Sequence, residues 1–97
     1  MVRYYCISHF FPGGTKDQYE AAMIALNGEL GVIPKGQIFH VAGPVPGGFH
    51  VFAVQQSKES WDAFMTDHFV PIMGNGVPSS FTTPPDETTF EATHFYR

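Results

Sequence analysis

The sequence predicts an α+β domain in the order β-α-β-β-α-β, a four-stranded antiparallel sheet carrying both helices on one face. Three observations predict it. Aromatic and β-branched runs alternate with two stretches of helical apolar spacing. Pro and Gly punctuate the chain between them. The 97 residues, 43% of them hydrophobic, allow one domain over 1–97 and no second.

Each element has its own warrant. Val2 to Phe11 is rich in aromatic and β-branched types and stops at Pro12-Gly13-Gly14, a strand and its turn. Thr15 opens a helix, with Gln18 completing a capping box and Asp17 and Glu20 at the positive end of the dipole. Tyr19, Met23, Leu26 and Leu30 recur at helical spacing with Ala22 alongside; Gly28 and Gly31 end the helix and Pro34 prevents continuation. Gln37–Ala42 and Phe49–Gln56 read as strands two and three, with the Pro- and Gly-rich stretch 43–48 as their loop.

Ser57 caps a second helix whose stripe is Trp61, Phe64, Met65, His68 and Ile72, and which Pro71 bends or ends. A loop from Gly74 to Asp86 is long enough for a lid or a dimer arm. A last strand runs from about Thr88 to Tyr96. This is the split βαβ order of ferredoxin-like domains.

Five Lys and Arg against nine Asp and Glu give a net charge of −4. That balance supplies no cationic patch for a polyanion, so nucleic acid is not an expected partner. Cys6 is the single cysteine, which excludes an internal disulfide and a Cys-based zinc site. No apolar run reaches the roughly 20 residues of a membrane span, and the first residues lack signal-peptide character. The expectation is a cytoplasmic protein without membrane association.

The strands carry one more message. A half-solvated sheet alternates apolar with polar residues. Here Tyr4, Cys6 and Phe10 alternate with Tyr5, Ile7 and Phe11, and Phe49, Val51 and Ala53 alternate with Phe52 and Val54. Two helices cover one face only. The other calls for a second copy, so the reading predicts a homodimer joined sheet to sheet with an interface above about 1,000 Å².

With these features the sequence resembles the dimeric α/β-barrel superfamily, and more closely its antibiotic-biosynthesis-monooxygenase-like branch. The resemblance rests on Pro12-Gly13-Gly14-Thr15 before the first helix and on Gln37 to Pro44. It rests also on the strand end Val54-Gln55-Gln56-Ser57 leading into Lys58 to Phe64. It implies sheets pairing into a dimeric α/β barrel and a small-molecule function, in a superfamily that includes cofactor-independent oxygenases, haem-degrading enzymes, isomerases and cyclases. Many oxygenase-like members end strand three with a Trp, where this chain has Gln55-Gln56. Fold alone does not choose among these activities.

Five histidines are the groups suited to chemistry near neutral pH. His40 and His94 stand in predicted strands among apolar neighbours and are the expected catalytic pair. His9 and His50 sit nearer strand ends. An even residue sum across the hairpin of strands two and three puts His40 and His50 on one face, and an odd sum separates them. Gln55, Tyr96, Tyr5 and His50 are the expected substrate-binding groups. His68, on helix two, is the one residue that resemblance to haem-binding relatives offers as an axial ligand. No metal motif is present, and no cofactor is expected. The leading expectation is a cofactor-independent monooxygenase-like or cyclase-like enzyme for an aromatic, polyketide-like or enolisable substrate. The alternative is a non-catalytic dimeric ligand-binding or stress-related protein.

Overall fold

The computed structural model describes residues 3–96. In chain order it contains β1 (Tyr5–Pro12), α1 (Lys16–Asn27), β2 (Gln37–Val45) and β3 (Gly48–Gln55). Next come α2 (Lys58–Phe64), a π-helical turn (Met65–Phe69), α3 (Val70–Met73) and β4 (Asp86–Glu91). The strands pair antiparallel in one sheet of order β2-β3-β1-β4. Element order and strand order together are those of a ferredoxin-like domain.

The capping chemistry read from the sequence is present. Thr15 Oγ1 accepts from the Gln18 amide at 3.2 Å, while Gln18 Oε1 accepts from the Thr15 amide at 3.0 Å. Gly28 ends α1 in the left-handed region, and its N–H reaches the Ile24 carbonyl. Leu30, expected on the apolar face of α1, lies beyond that cap and is exposed. Ser57 Oγ accepts from the Ser60 amide and starts α2.

Pro71 shapes the chain beyond α2. A proline has no N–H to give, and in a regular helix its ring collides with the carbonyl four residues back. The helix widens just before it: Val70 N–H bonds to Met65 O, a π turn, and Pro71 then sits in the first turn of α3.

Boundaries of all four strands differ from the sequence reading. Val2, the expected start of β1, lies outside the described residues. The stretch 43–48 is mostly strand: β2 continues through Pro44 to Val45, and only Pro46-Gly47 turns. β2 is an edge strand, where a proline costs no ladder hydrogen bond. Gly48 starts β3 because a Cβ there would lie 2.1 Å from the Phe11 carbonyl oxygen. β4 runs earlier than expected and ends at Glu91, so His94 and Tyr96 are not in a strand.

Registers fix the faces. Tyr5, Ile7, His9 and Phe11 pair with Gln55, Ala53, Val51 and Phe49, and all face the helices. Tyr5, Ile7 and Trp61 of α2 form the buried core cluster, with Phe64 and Met65 packed against it. The opposite face carries Cys6, Phe10, Phe52, Val54 and Phe90, together with Phe39, Val41 and Val45 of β2. Phe39, Val41 and Phe90 are each about half exposed there. The expectation of two apolar faces with helices on only one therefore describes this chain. No helix among the described residues is long and apolar enough to cross a membrane.

Candidate active site between the sheet and the helices

A cavity of about 320 Å³ opens between α1, the helix-side face of the sheet and the 74–85 loop. His9, Tyr19, Val51, Phe69 and Phe81 are among its walls. A smaller extension of about 70 Å³ continues beneath α2 to His40, Gln37 and Trp61. The loop roofs one end: Phe81 stacks on Phe11 at 3.7 Å between ring centroids, and Thr83 Oγ1 donates to the Pro12 carbonyl. Apolar walls with few polar groups, at roughly 300 Å³ and above, are the usual form of a small-ligand site.

A directed chain of hydrogen bonds supplies the polar groups. Gln37 Oε1 lies 2.8 Å from His40 Nδ1, and a carbonyl oxygen only accepts, so Nδ1 carries the proton. His40 Nε2 is then the acceptor for the Tyr19 hydroxyl at 2.6 Å. On the other side Gln37 Nε2 donates to Gln55 Oε1 at 3.4 Å, and Gln55 Nε2 donates to Ser60 Oγ at 3.0 Å. Every member points its donor at the next acceptor, which fixes the tautomer of His40.

The sheet makes this chain possible through one irregularity. Gln37 and His40 are three apart, so in a regular strand they would face opposite sides. The register slips between Gln37 and Phe39: Gln37 pairs with Gln55, but Phe39 pairs with Val54 and His40 with Ala53. The extra residue, Ile38, returns His40 to the face of Gln37. Gly36, at φ +91°, packs beneath, where a Cβ would lie 2.3 Å from Ser60 Oγ.

Burial holds the His40 imidazole below its ordinary 6.5. Burial, with the Glu20 carboxylate adding to it, raises the Tyr19 phenol. Both effects keep the pair neutral, with the shared proton on Tyr19. The depressed imidazole has a consequence for stability. Just below pH 6.5 the unfolded chain binds more protons at this residue than the folded one, so stability falls as pH drops through that window. Melting curves between about pH 8 and about pH 5 should show this decline, and His40→Gln should flatten it. An unchanged slope in the variant would remove His40 as its source.

The expected site residues divide between two faces. His40 and Gln55 join the chain above, Gln55 with no exposed surface. Tyr5, opposite Gln55 in the register, packs on Ile7 and Trp61 in the core. The β2–β3 sum is odd, so His50 lies on the other face from His40, where its Nε2 meets Ser8 Oγ at 2.7 Å. His94 and Tyr96 come after β4 and line a separate hollow of about 450 Å³ over the open face, with Cys6, Phe39 and Phe52. His40 and His94 are therefore not one constellation. His68 Nε2 is taken by the Leu26 carbonyl. Among the described residues, no three His, Cys, Asp or Glu side chains gather as a metal site.

Sequence reasoning missed Tyr19, Gln37 and Ser60 as polar members of the site. Tyr19 is legible in the sequence only as part of the apolar stripe of α1, and it does stack on Phe49 at 5.1 Å. The signal that could have found Gln37 is its place one residue before a bulge, which sequence does not mark. No family model, curated protein or solved structure matches the chain.

Proposed function

We propose that this chain is a small-molecule protein of the cofactor-independent monooxygenase-like or cyclase-like kind, whose helix-side cleft holds a flat aromatic or enolisable compound. The Tyr19–His40 pair at the wall of an apolar cavity is the observation that carries this reading. The Tyr19 O–H is given to His40 Nε2, so the Tyr19 oxygen accepts a hydrogen bond from a phenol or enol hydroxyl. Turned from His40 to the ligand, the same O–H serves a carbonyl oxygen near neutral pH. His40 keeps no free nitrogen in this arrangement, so it acts on the ligand through Tyr19. Gln37, Gln55 and Ser60 hold the imidazole in the tautomer this requires. The protein works as a homodimer with its open sheet faces together, which brings Phe39, Val41, Val45 and Phe90 out of water.

Titration with 2-naphthol, a flat phenol, tests the cleft. Binding should perturb the NMR signals of Tyr19 and Val51 and weaken about tenfold in Tyr19→Phe, the value of one hydrogen bond. Perturbation confined to the Cys6 and Phe52 side would move the ligand site to the other face and remove this reading. The non-catalytic alternative predicts the same binding with no chemistry on any enolisable ketone.

A further inference from the structure

His9 is the polar group of the cleft that the Tyr19–His40 chain leaves out. It belongs to both the main cavity and its extension. Its Nε2 lies 2.7 Å from the Glu87 carboxylate of β4, and its side chain is 13% exposed. A carboxylate only accepts, so Nε2 carries the proton and Nδ1 carries the lone pair. Among the described residues no hydrogen bond reaches Nδ1, and it is not among the buried atoms without a partner. It is open to a small molecule. The ring is held edge-on to Phe11 at 6.0 Å and tilted against Trp61 at 6.2 Å, so its direction is set by packing as well as by Glu87.

An imidazole with a free lone pair and a carboxylate behind its other nitrogen is the form of a general base. We propose that His9, positioned by Glu87, is the catalytic base of this cleft and takes a proton from the carbon beside a carbonyl whose oxygen rests on Tyr19. This deepens the reading above and rests on it. In the step, the α C–H bond breaks and its proton goes to His9 Nδ1, giving an imidazolium beside the Glu87 carboxylate. The C–H electron pair forms the new carbon–carbon double bond, and the carbonyl π pair moves to oxygen as an enolate, to which the Tyr19 O–H turns from His40 Nε2. Return of the proton to the same carbon gives exchange, and its return further along a conjugated system gives isomerisation. No oxidant or other co-reactant is needed.

The register supports one ligand bridging both ends. His9 pairs with Val51 and His40 with Ala53, so the two are separated by β3 and offset by two residues. That is about 10 Å across the sheet and about 7 Å along it between backbones, with the side chains converging into the cleft. Such a span suits a ligand of one or two fused rings.

The test uses the full chain and 2-tetralone, a bicyclic ketone with an acidic benzylic carbon, in D₂O. Deuterium entry at that carbon is followed by NMR, and binding of 2-naphthol is measured in parallel. The wild type should accelerate exchange. His9→Gln should lose about 100-fold or more of that acceleration while still binding 2-naphthol. Glu87→Ala, on an exposed position of β4, should lose about tenfold and shift the His9 ¹⁵N signals away from the Nε2–H tautomer. Exchange unchanged in His9→Gln overturns the assignment while leaving the cleft reading intact. Naphthol binding without accelerated exchange in the wild type overturns it too. Neither binding nor exchange overturns the cleft reading and this inference together.

Discussion

With the proposed sheet-to-sheet pairing, the wild type should run at twice 10.8 kDa and Val41→Asp as a folded monomer. Val41 lies on the open sheet face opposite Phe52, is 51% exposed in the single chain, and has Phe39 and Val45 on the same side of its strand. In one protomer an aspartate there stays in water and costs the fold little. Across a twofold interface every substitution appears twice, and each carboxylate must lose its hydration among apolar side chains. The desolvation penalty is several kcal/mol per ion, so the dissociation constant should rise by about 10⁴ or more. Sedimentation at micromolar concentration reads the result directly. Ile24→Asp is the control: it is 50% exposed on α1 and should leave the dimer as it is. If instead Ile24→Asp separates the copies and Val41→Asp does not, pairing is through the helices. A wild type that sediments as a monomer removes sheet pairing outright.

That prediction comes from the part of the molecule the sequence displays best. Alternation of side chains is a period-two property, so Tyr5, Ile7 and Phe11 against Cys6 and Phe10 reveal two apolar faces without any knowledge of neighbours. The capping box at Thr15 and Gln18 and the Ser57 cap are equally local, and they are where the sequence places them. What fails is non-local. Pro44 reads as a loop residue unless its strand is known to be at the sheet edge. Asp86 and Glu87 fall outside the expected last strand for a related reason: an edge strand is kept charged and polar, which hides its start. The aromatic His94 to Tyr96 stretch reads as strand but lies past the strand's end. The site depends on such facts throughout. His40 shares a face with Gln55 and not with His50 because of the odd hairpin register, Gln37 joins it through a single bulged residue, and His9 gains its standing from Glu87, 78 positions away.

Gln55 concentrates these dependencies, and replacing it should have the largest effect on the fold of any polar substitution in the site. It has no exposed surface, bonds Gln37 and Ser60, and faces Tyr5 across the ladder. Gln55→Ala removes two hydrogen bonds, leaves Gln37 Nε2 with no acceptor, and opens a void beside the Trp61 core. Leaving the half-buried Gln37 donor unsatisfied costs about 1 kcal/mol, and a cavity of several heavy atoms at the fully buried Gln55 position costs about 2–4 kcal/mol more. A loss of about 3–5 kcal/mol lowers the melting temperature of a domain this size by roughly 15–30 °C. Gln55→Leu separates the two contributions, since it fills the volume and restores no hydrogen bond. Its melting point should fall between wild type and Gln55→Ala. A Gln55→Leu protein as stable as wild type would show that the amide chain contributes nothing to folding. Its role would then be in the His40 tautomer alone, where loss of the Gln55 acceptor frees Gln37 to turn its amide and withdraw the oxygen that holds the Nδ1 proton. In that case the ¹⁵N spectrum of His40 changes while the melting curve does not. If both change, the same hydrogen bonds that stabilise the fold also set the proton positions at Tyr19.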